Sequence, residues 1–266
     1  MNDAQHLSEL LNVSSQIVVF TGAGISTESG IPDYRSKGGL WERFQPVTYQ
    51  EFLNDINKRR EYWLRKKELM EKLISAEPNL GHAAIATMEK HCKKLCGVIT
   101  QNIDGLHQIA GNSNDKVLEL HGTNRFVICL NCHDRQPFHK IYERLKQGED
   151  IPRCLSCDGI LKPDTISFGQ SLDPSVLFKA GEWVKRCDLL LAVGSTLIVE
   201  PAASLPLVAK ENGAKLAIIN LSPTPLDSIA DLLIRTPAGQ VLHTAVEMTK
   251  SNQHLAEVME TDRREV

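Results

Sequence analysis

The sequence predicts an α/β fold, in which a doubly wound parallel sheet carries a small inserted metal-binding module. Two observations lead to this prediction. Short apolar runs rich in β-branched residues alternate with segments of helical periodicity, and strands that alternate with helices form a parallel sheet covered on both faces. Four of the seven cysteines stand in two C-x-x-C pairs. The stretch that begins and ends with these pairs lacks the alternation of strand and helix patterns.

The apolar runs are short enough for buried strands, and the first of them is stopped by a glycine-rich segment. Between several of the runs lie segments of helical period. One of these begins at Asn79, whose side chain can cap a helix, and it continues through Met88. The predicted strands are residues 17–20, 98–100, 117–120, 189–193, 216–219 and 231–234.

The composition is that of a globular protein with a sizeable core, since 42% of the 266 residues are hydrophobic and 24% are charged. A net charge of -3 gives no reason to expect a nucleic acid or an anionic membrane as partner. No apolar run approaches the roughly 18 residues of a membrane span, and residues 1–10 lack the features of a secretory signal. We therefore expect a cytoplasmic location, and we also expect a monomer.

The two cysteine pairs are separated by residues 133–153, and in a reducing compartment such pairs favour a metal over disulfides. Two knuckles of this kind can present four thiolates tetrahedrally to one zinc ion, with no open position for a substrate. The zinc would therefore be structural, and its binding would contribute to folding. The predicted zinc ligands are Cys129, Cys132, Cys154 and Cys157.

The stretch around these cysteines defines the predicted domain organisation. Residues 126–160 form the zinc-ribbon module, which is inserted into one larger sheet domain. That domain comprises residues 1–125 and 161–250, and residues 251–266 form a polar tail. A zinc ribbon can also serve as a contact module for nucleic acids or proteins. A nucleic-acid binder would need a basic patch with interleaved aromatics, for which residues 126–160 offer little material.

A glycine-rich segment, residues 22–26, follows the first predicted strand. Glycines between a strand and a helix let backbone N–H groups approach a phosphate, and the helix N-terminus favours the anion. The spacing is not the dehydrogenase fingerprint, because Gly30 follows Gly24 at a longer distance than that motif requires. Taken alone, Gly22 and Gly24 are as consistent with a purely structural turn as with a phosphate site.

Two further polar segments end predicted strands. Residues 101–104 follow the second strand, at the sheet edge where parallel sheets bind ligands, although an N-x-D sequence is usually a turn former. His121 ends the third strand directly before Gly122. A neutral imidazole near pH 7 can accept a proton from a hydroxyl group, so this histidine is a candidate base.

These segments resemble, in order, the signatures of the sirtuins, and specifically of zinc-containing members of bacterial type. Residues 22–36 (GAGISTESGIPDYRS) are similar almost throughout to the family's cofactor-binding loop, with Tyr34 where phenylalanine is usual. The resemblance extends over residues 7–248. It implies a Rossmann-like, NAD-binding fold and an NAD-dependent protein-lysine deacylase. Such an enzyme consumes NAD as a co-substrate and releases nicotinamide and O-acyl-ADP-ribose from an acylated lysine.

The resemblance also implies roles for individual residues. His121 is the general base, Asp104 accepts a hydrogen bond from the nicotinamide carboxamide, and Gln101 and Asn102 contact the ribose. The NAD-binding residues implied in this way are Gly22, Ala23, Gly24, Ser26, Asp33, Tyr34, Arg35, Gln101, Asn102, Ile103, Asp104, Gly194, Ser195, Thr196, Asn220, Leu221, Ser222 and Ala238.

Two segments are expected to meet the acylated protein. The stretch Ser167, Phe168 and Gly169 resembles the one with which sirtuins pair the substrate peptide as an added strand. Tyr62 and Arg65 match the Y-x-x-R of sirtuins that prefer acidic acyl groups, in which the arginine meets the distal carboxylate. The basic helix that carries them is otherwise typical of a solvated face, and the sequence leaves the acyl preference open.

Alternative functions remain. A protein ADP-ribosyltransferase or an NAD hydrolase could use the same loop and fold. A non-enzymatic reader of NAD or ADP-ribose would be expected to lack His121 or Asp104, and both are present.

Overall fold

The computed structural model describes residues 2–33 and 45–264, with side chains described as far as residue 252. These residues form a six-stranded sheet and a three-stranded sheet. The strands are β1 (Ile17–Thr21), β2 (Leu95–Thr100), β3 (Val117–Glu119), β4 (Gly122–Cys129), β5 (Arg135–Pro137), β6 (Leu161–Thr165), β7 (Leu189–Val193), β8 (Lys215–Ile219) and β9 (Leu232–Ile234).

Helices cover the larger sheet and part of the smaller one. They are α1 (Asp3–Val13), α2 (Tyr49–Asn54), α3 (Ile56–Ser75), α4 (Leu80–Thr87), α5 (Leu106–Ala110), α6 (Phe138–Lys146), α7 (Pro174–Arg186), α8 (Leu205–Glu211) and α9 (Ala238–Arg264). Within residues 2–33 and 45–264, no helix is both long enough and apolar enough to cross a membrane.

The larger sheet is parallel throughout, with the strand order β3-β2-β1-β7-β8-β9. All six strands predicted from the apolar runs are present in it, which confirms the doubly wound sheet. The chain leaves β1 toward β2 on one side and later returns to β7 on the other. The carboxyl ends of β1 and β7 therefore flank a switch point, where open α/β sheets bind ligands.

Successive side chains of β1 point to opposite faces of the sheet and therefore pack in two different hydrophobic cores. Val19 packs in the cluster that α1, α4 and α9 cover, whereas Val18 and Phe20 pack in the cluster that α7 and α8 cover. Every residue of β1 is buried. Burial on both faces is the reason that these strands are continuous apolar runs in the sequence.

Asn79 caps α4, as predicted, and it also fixes the glycine-rich segment. Its side-chain oxygen accepts hydrogen bonds from the N–H groups of Gly81 at 2.9 Å and His82 at 3.4 Å. Its amide nitrogen donates to the carbonyl of Ile25 at 2.7 Å. The start of α4 and the loop after β1 are therefore held together.

The smaller sheet is antiparallel, with the order β5-β4-β6, and it carries the cysteine pairs. Its core extends beyond the predicted module. Phe52 on α2 and Trp63 on α3, both 0% exposed, pack in one cluster with Val127 of β4 and Phe138 of α6. We infer that residues 45–75 and 122–165 together form the smaller unit. The basic helix α3 is consequently solvated on one side only.

The chain passes from the larger sheet to the smaller one directly after His121. Gly122 begins β4 with φ of 73°, and a Cβ there would lie 2.2 Å from the carbonyl oxygen of Asp164. Only glycine fits both the backbone conformation and this close approach. The crossing places His121 between the two units.

Candidate active site

A cleft of about 940 Å³ runs between the larger sheet and the smaller unit. Its walls come from the segments that follow the carboxyl ends of β1, β2, β7, β8 and β9, from α3 and from residues 165–170. This is the edge at which a parallel sheet presents its loops to a ligand. His121 lines the cleft as well.

The glycine-rich segment packs against the loop that follows β7. A Cβ on Gly24 would lie 2.7 Å from the Cα of Gly194, and a Cβ on Gly22 would lie 2.7 Å from its carbonyl oxygen. The N–H of Gly24 donates to that carbonyl at 2.8 Å. Glycine is needed at both positions for the two loops to meet, and their union forms one wall of the cleft.

A buried polar network supports this wall from behind. Asn102 donates to the carbonyl of Gly22 and to Ser26 Oγ, each at 3.1 Å. Ser26 Oγ donates to Asp104 Oδ2 at 2.8 Å, and Asp104 Oδ1 accepts from the N–H of Leu106 at 2.9 Å. Both carboxylate oxygens of Asp104 are therefore used within the protein.

Two histidines pack behind the same network. Thr21 Oγ1 lies 3.0 Å from His107 Nε2 and donates to Thr100 Oγ1 at 2.8 Å, and the rings of His82 and His107 are 5.0 Å apart. Burial lowers the pKa of His107 to about 3 and that of His82 to about 4, although the charge of Asp104 opposes the second shift. Both imidazoles are neutral at pH 7.

His121 has the geometry of a general base. Its Nδ1 lies 3.1 Å from the backbone carbonyl of Gln101, and because a carbonyl can only accept, Nδ1 carries the proton. The Nε2 lone pair finds no hydrogen-bond partner among the residues whose side chains the structure describes, 2–33 and 45–252. Burial lowers the pKa of His121, while the bond to Gln101 raises it in part, so the ring is neutral at pH 7.

The Gln101 side chain offers an unused donor to the cleft. Its oxygen accepts from Ser195 Oγ at 3.2 Å, whereas its Nε2 is buried without a partner among the described residues. A buried amide donor of this kind calls for an acceptor. A ribose hydroxyl of NAD would provide one, and this fits the role that the resemblance implies for Gln101.

The four cysteines form a compact sulfur cluster. Their sulfur atoms all lie within 4.8 Å of one another. The separation is 3.5 Å between Cys129 and Cys157, and 3.7 Å between Cys132 and Cys154. Sulfur atoms at 2.3 Å from a tetrahedral zinc ion would be about 3.8 Å apart. The donor set and its spacing fit one four-coordinate zinc ion.

Tyr62 and Arg65 both line the cleft, but they differ in their surroundings. Tyr62 is 8% exposed, and its hydroxyl lies 3.3 Å from Thr165 Oγ1. Arg65 is ion-paired with Glu61 one helical turn earlier, and it also donates to the carbonyl of Gln45.

The predicted peptide-binding stretch forms the rim of the cleft. Ser167, Phe168 and Gly169 all line it, and Phe168 is 45% exposed. The N–H of Ser167 donates to Gln170 Oε1 at 3.2 Å. Gly169 has φ of 78°. Pairing of this stretch with a substrate stays a prediction.

The structure brings most of the predicted NAD-binding residues to one cavity. Gly22, Ser26 and Asp104 do not line it and instead support its wall. Tyr34 and Arg35 lie outside the described residues. Those that line the cleft are Ala23, Gly24, Asp33, Gln101, Asn102, Ile103, Gly194, Ser195, Thr196, Asn220, Leu221, Ser222 and Ala238.

Several charged residues that line the cleft were not predicted from the sequence, and two of them have informative contacts or positions. Glu28 lines it and accepts from the N–H of Gly239 at 2.9 Å, which ties the glycine-rich segment to the start of α9. Lys66 lines it on α3. The helical spacing from Tyr62 to Lys66, one turn, could have indicated that this lysine shares the buried side of the helix.

Comparisons with known proteins agree with this geometry. The model of the Sir2 family matches residues 22–201. The chain is 47% identical over 245 residues to a protein of Thermodesulfovibrio yellowstonii named NAD-dependent protein deacetylase, which covers 92% of this chain and 94% of that protein. It is 43% identical over 250 residues to NAD-dependent protein deacylase 2 of Archaeoglobus fulgidus, which covers 94% of this chain and 97% of that protein.

Solved structures give the same result. A structure described as Sir2 with a p53 peptide and NAD+ aligns with a TM-score of 0.84 at 35% identity, over 93% of this chain and 98% of that one. A Sir2 enzyme structure determined for mechanism and regulation aligns with a TM-score of 0.84 at 42% identity, over 94% and 98% of the two chains. The sequence, the fold and the cleft lead to one conclusion: this chain belongs to the Sir2 family.

Proposed function

We propose that this chain is an NAD-dependent protein-lysine deacylase in which His121 acts as the general base. The reaction follows from the Sir2 family and from relatives named NAD-dependent protein deacetylase or deacylase. The observation that supports the assignment of the base is that His121 lines the cleft with its Nδ1 bonded to the Gln101 carbonyl.

NAD is the co-substrate, and the residues that line the sheet side of the cleft are proposed to hold it. When bound, NAD supplies an electrophilic ribose carbon and the hydroxyl groups that take over the acyl group. Gln101 Nε2 is proposed to donate to a ribose oxygen, because it is a buried donor that lacks an acceptor. Asn102, Ser26 and Asp104 are proposed to keep the glycine-rich segment in place around the nucleotide.

His121 is proposed to accept a proton from a ribose hydroxyl at Nε2. The Gln101 carbonyl keeps the proton on Nδ1, and it stabilises the imidazolium that forms when the second nitrogen is protonated. With NAD bound, the carbonyl oxygen of the acylated lysine would displace nicotinamide from the ribose carbon, and the hydroxyl that gives its proton to His121 would then attack the former acyl carbon. The bond from that carbon to the lysine nitrogen would break, and a water molecule would supply the remaining oxygen. The products are the free lysine, nicotinamide and O-acyl-ADP-ribose.

The four cysteines are proposed to hold one zinc ion with a structural role. Four thiolates fill a tetrahedral shell, so no coordination position remains for a substrate. The ion would connect the β4–β5 turn to the segment that precedes β6, because each cysteine pair stands on one of these segments.

The partner is an acylated lysine of a protein, which we propose to be bound between α3 and residues 167–169. One solved relative is described with a p53 peptide and NAD+, and this supports a peptide in the corresponding cleft. The cytoplasmic location, the monomeric state and the lack of nucleic-acid binding stay predictions from the sequence.

The assignment of the base is tested by replacing His121 with alanine. We expect deacylation of an acetyl-lysine peptide to fall by about 100- to 10,000-fold, because proton transfer to the base is lost. The bound zinc and the thermal midpoint should be unchanged. The matched control is His139→Ala, at an exposed position on α6, and it should retain full activity. Undiminished turnover in His121→Ala would refute the assignment.

A further inference from the structure

Lys162, on β6, is a buried cation that contacts backbone oxygens instead of a carboxylate. It is 1% exposed, and its Nζ donates to the carbonyl of Thr165 and lies 3.4 Å from that of Pro163. Among the residues whose side chains are described, no carboxylate lies within ion-pair distance of it, and the neighbouring Asp164 is paired with Arg135 at 2.7 Å. A buried charge of this kind is costly, and its contacts with the backbone are those that offset the cost.

The ammonium group lies among aromatic rings and near a second cation. The rings of Tyr49 and Tyr62 face it, each with its centroid 5.9 Å from Nζ. Burial lowers the pKa of Lys162 to about 8, although Asp164 opposes the shift. Burial, with a contribution from the charge of Lys162, also lowers the pKa of Lys66, on α3, to about 7. The Lys162 side chain is therefore charged at pH 7 and has lost most of its charge at pH 9.

Thr165, whose carbonyl accepts this hydrogen bond, is the last residue of β6, and the cleft-lining stretch of residues 166–170 follows it. The ladder between β4 and β6 is irregular at this point. Gly122 pairs with Thr165, but the neighbouring pair is Val127 with Pro163, so four residues of β4 lie between the two pairs against one residue of β6. The ladder is interrupted beside the Thr165 carbonyl, and the lysine ammonium group donates to that carbonyl from within the same strand.

The cleft-lining stretch is also held by backbone hydrogen bonds to two other segments. The N–H of Ile166 donates to the carbonyl of His121 at 2.8 Å, and the N–H of Tyr49, at the start of α2, donates to the carbonyl of Phe168 at 2.9 Å. These bonds fix the middle of the stretch, whereas its start depends on the carbonyl that Lys162 binds. Every residue of the stretch lines the cleft, so a change of direction at its start moves the surface that faces the substrate.

We propose that Lys162 is a positioning residue for the substrate peptide: its ammonium group holds the Thr165 carbonyl and so sets the direction in which residues 167–169 meet the peptide. This inference rests on the proposed function, in which that stretch contacts the acylated protein. Lys162 does not itself line the cleft, so it acts through the backbone and not by touching the peptide. Loss of the ammonium group should therefore weaken peptide binding and leave the chemical step at His121 intact.

The test replaces Lys162 with methionine, which keeps an unbranched apolar chain and removes the ammonium group. In the zinc-loaded protein, the Kd of an acetyl-lysine peptide, measured by fluorescence anisotropy without NAD, should rise by about 10-fold, because a charge-assisted hydrogen bond is lost. The KM for the peptide should rise in parallel, while kcat and the KM for NAD keep their wild-type values. The matched control is Lys140→Met, which removes one charge from an exposed position on α6 and should change none of these values.

A second readout needs only the wild type and remains decisive if Lys162→Met does not fold. Between pH 7 and 9 the peptide Kd should rise by up to about 10-fold, as the charged fraction of Lys162 falls. The other titratable groups that face Lys162 are Asp164, Tyr49, Tyr62 and Lys66. Burial raises the pKa of Tyr62, which stays neutral in this range, and Lys66 titrates first, so the rise between pH 8 and 9 reports on Lys162. In a folded Lys162→Met variant, the Kd should not change between pH 8 and 9.

Three results would overturn the positioning role. They are an unchanged peptide Kd in a folded, zinc-loaded Lys162→Met variant, a loss in that variant confined to kcat, and a wild-type Kd that is constant between pH 8 and 9. Failure of the proposed function would be distinguishable from these, because the wild type would then release the acyl group from no peptide, whatever the pH dependence of peptide binding.

Discussion

Lowering the pH from 7 to 5 should weaken the fold through the two buried imidazoles, His82 and His107. Their folded-state pKa values, about 4 and about 3, lie below the ordinary value of 6.5. In this pH range the unfolded chain therefore binds more protons than the folded one, so stability falls with pH. The stability contributed by the neutral rings is present above pH 6.5 and is lost progressively as the pH falls toward their folded values.

The size of this loss of unfolding free energy is set by the interval between pH 5 and the ordinary histidine pKa of 6.5. One pH unit corresponds to 1.36 kcal/mol for a group that is protonated only in the unfolded state, which gives about 2 kcal/mol for each histidine. Because His82 and His107 are 0% and 1% exposed, solvent does not screen this cost. The sum of about 4 kcal/mol is a large part of the stability of a typical domain.

The assay is urea unfolding at pH 7, 6 and 5, followed by tryptophan fluorescence, with the bound zinc measured at each pH. In His107→Gln, the loss of unfolding free energy between pH 7 and 5 should be about 2 kcal/mol smaller than in the wild type. Zinc release at low pH affects both proteins and cancels in this difference. The exposed His139→Gln should behave as the wild type. Equal losses in the wild type and in His107→Gln would refute the reasoning.

Two further predictions concern packing and zinc. A Cβ on Gly97 would lie 2.2 Å from the Trp183 ring, so Gly97→Ala should cost about 1–3 kcal/mol of unfolding free energy. Gly181 lies inside α7 with nothing near its Cβ position, so Gly181→Ala should add up to about 1 kcal/mol. The urea midpoints of the two variants check these predictions, and equal shifts in Gly97→Ala and Gly181→Ala would contradict them. Removing zinc with a strong chelator should lower the thermal midpoint and abolish deacylation until zinc is restored, whereas a zinc-free protein with unchanged melting would exclude a structural ion.

The parallel sheet could be predicted because its signal is local. Strands such as β1 and β7 are buried on both faces, and this requires apolar runs that stand out in the sequence. The zinc site was predictable for a similar reason, since its ligands come in two short C-x-x-C pairs. The Asn79 cap could be predicted from the sequence pattern of α4 alone. In each case the residues that reveal the feature are close together in the chain.

The smaller unit could not be predicted in the same way, because its core joins distant segments. Trp63 of α3 packs with Val127 and Phe138, and nothing in the basic sequence around Trp63 indicates those partners. Lys66 illustrates the same difficulty. Its contact Thr165 is 99 residues away, and a lysine between other basic residues is normally solvated. The resemblance to the sirtuins located His121, but only the structure shows how the Gln101 carbonyl sets its tautomer.

The central claim is NAD-dependent deacylation, and mass spectrometry of acetyl-lysine and succinyl-lysine peptides tests it most directly. Each peptide is incubated with the zinc-loaded protein, with and without NAD. The account predicts loss of the acyl mass only when NAD is present, together with the formation of nicotinamide and O-acyl-ADP-ribose. Consumption of NAD while both peptides keep their acyl groups, or addition of ADP-ribose to a peptide, would contradict the account and support NAD hydrolysis or ADP-ribosyl transfer.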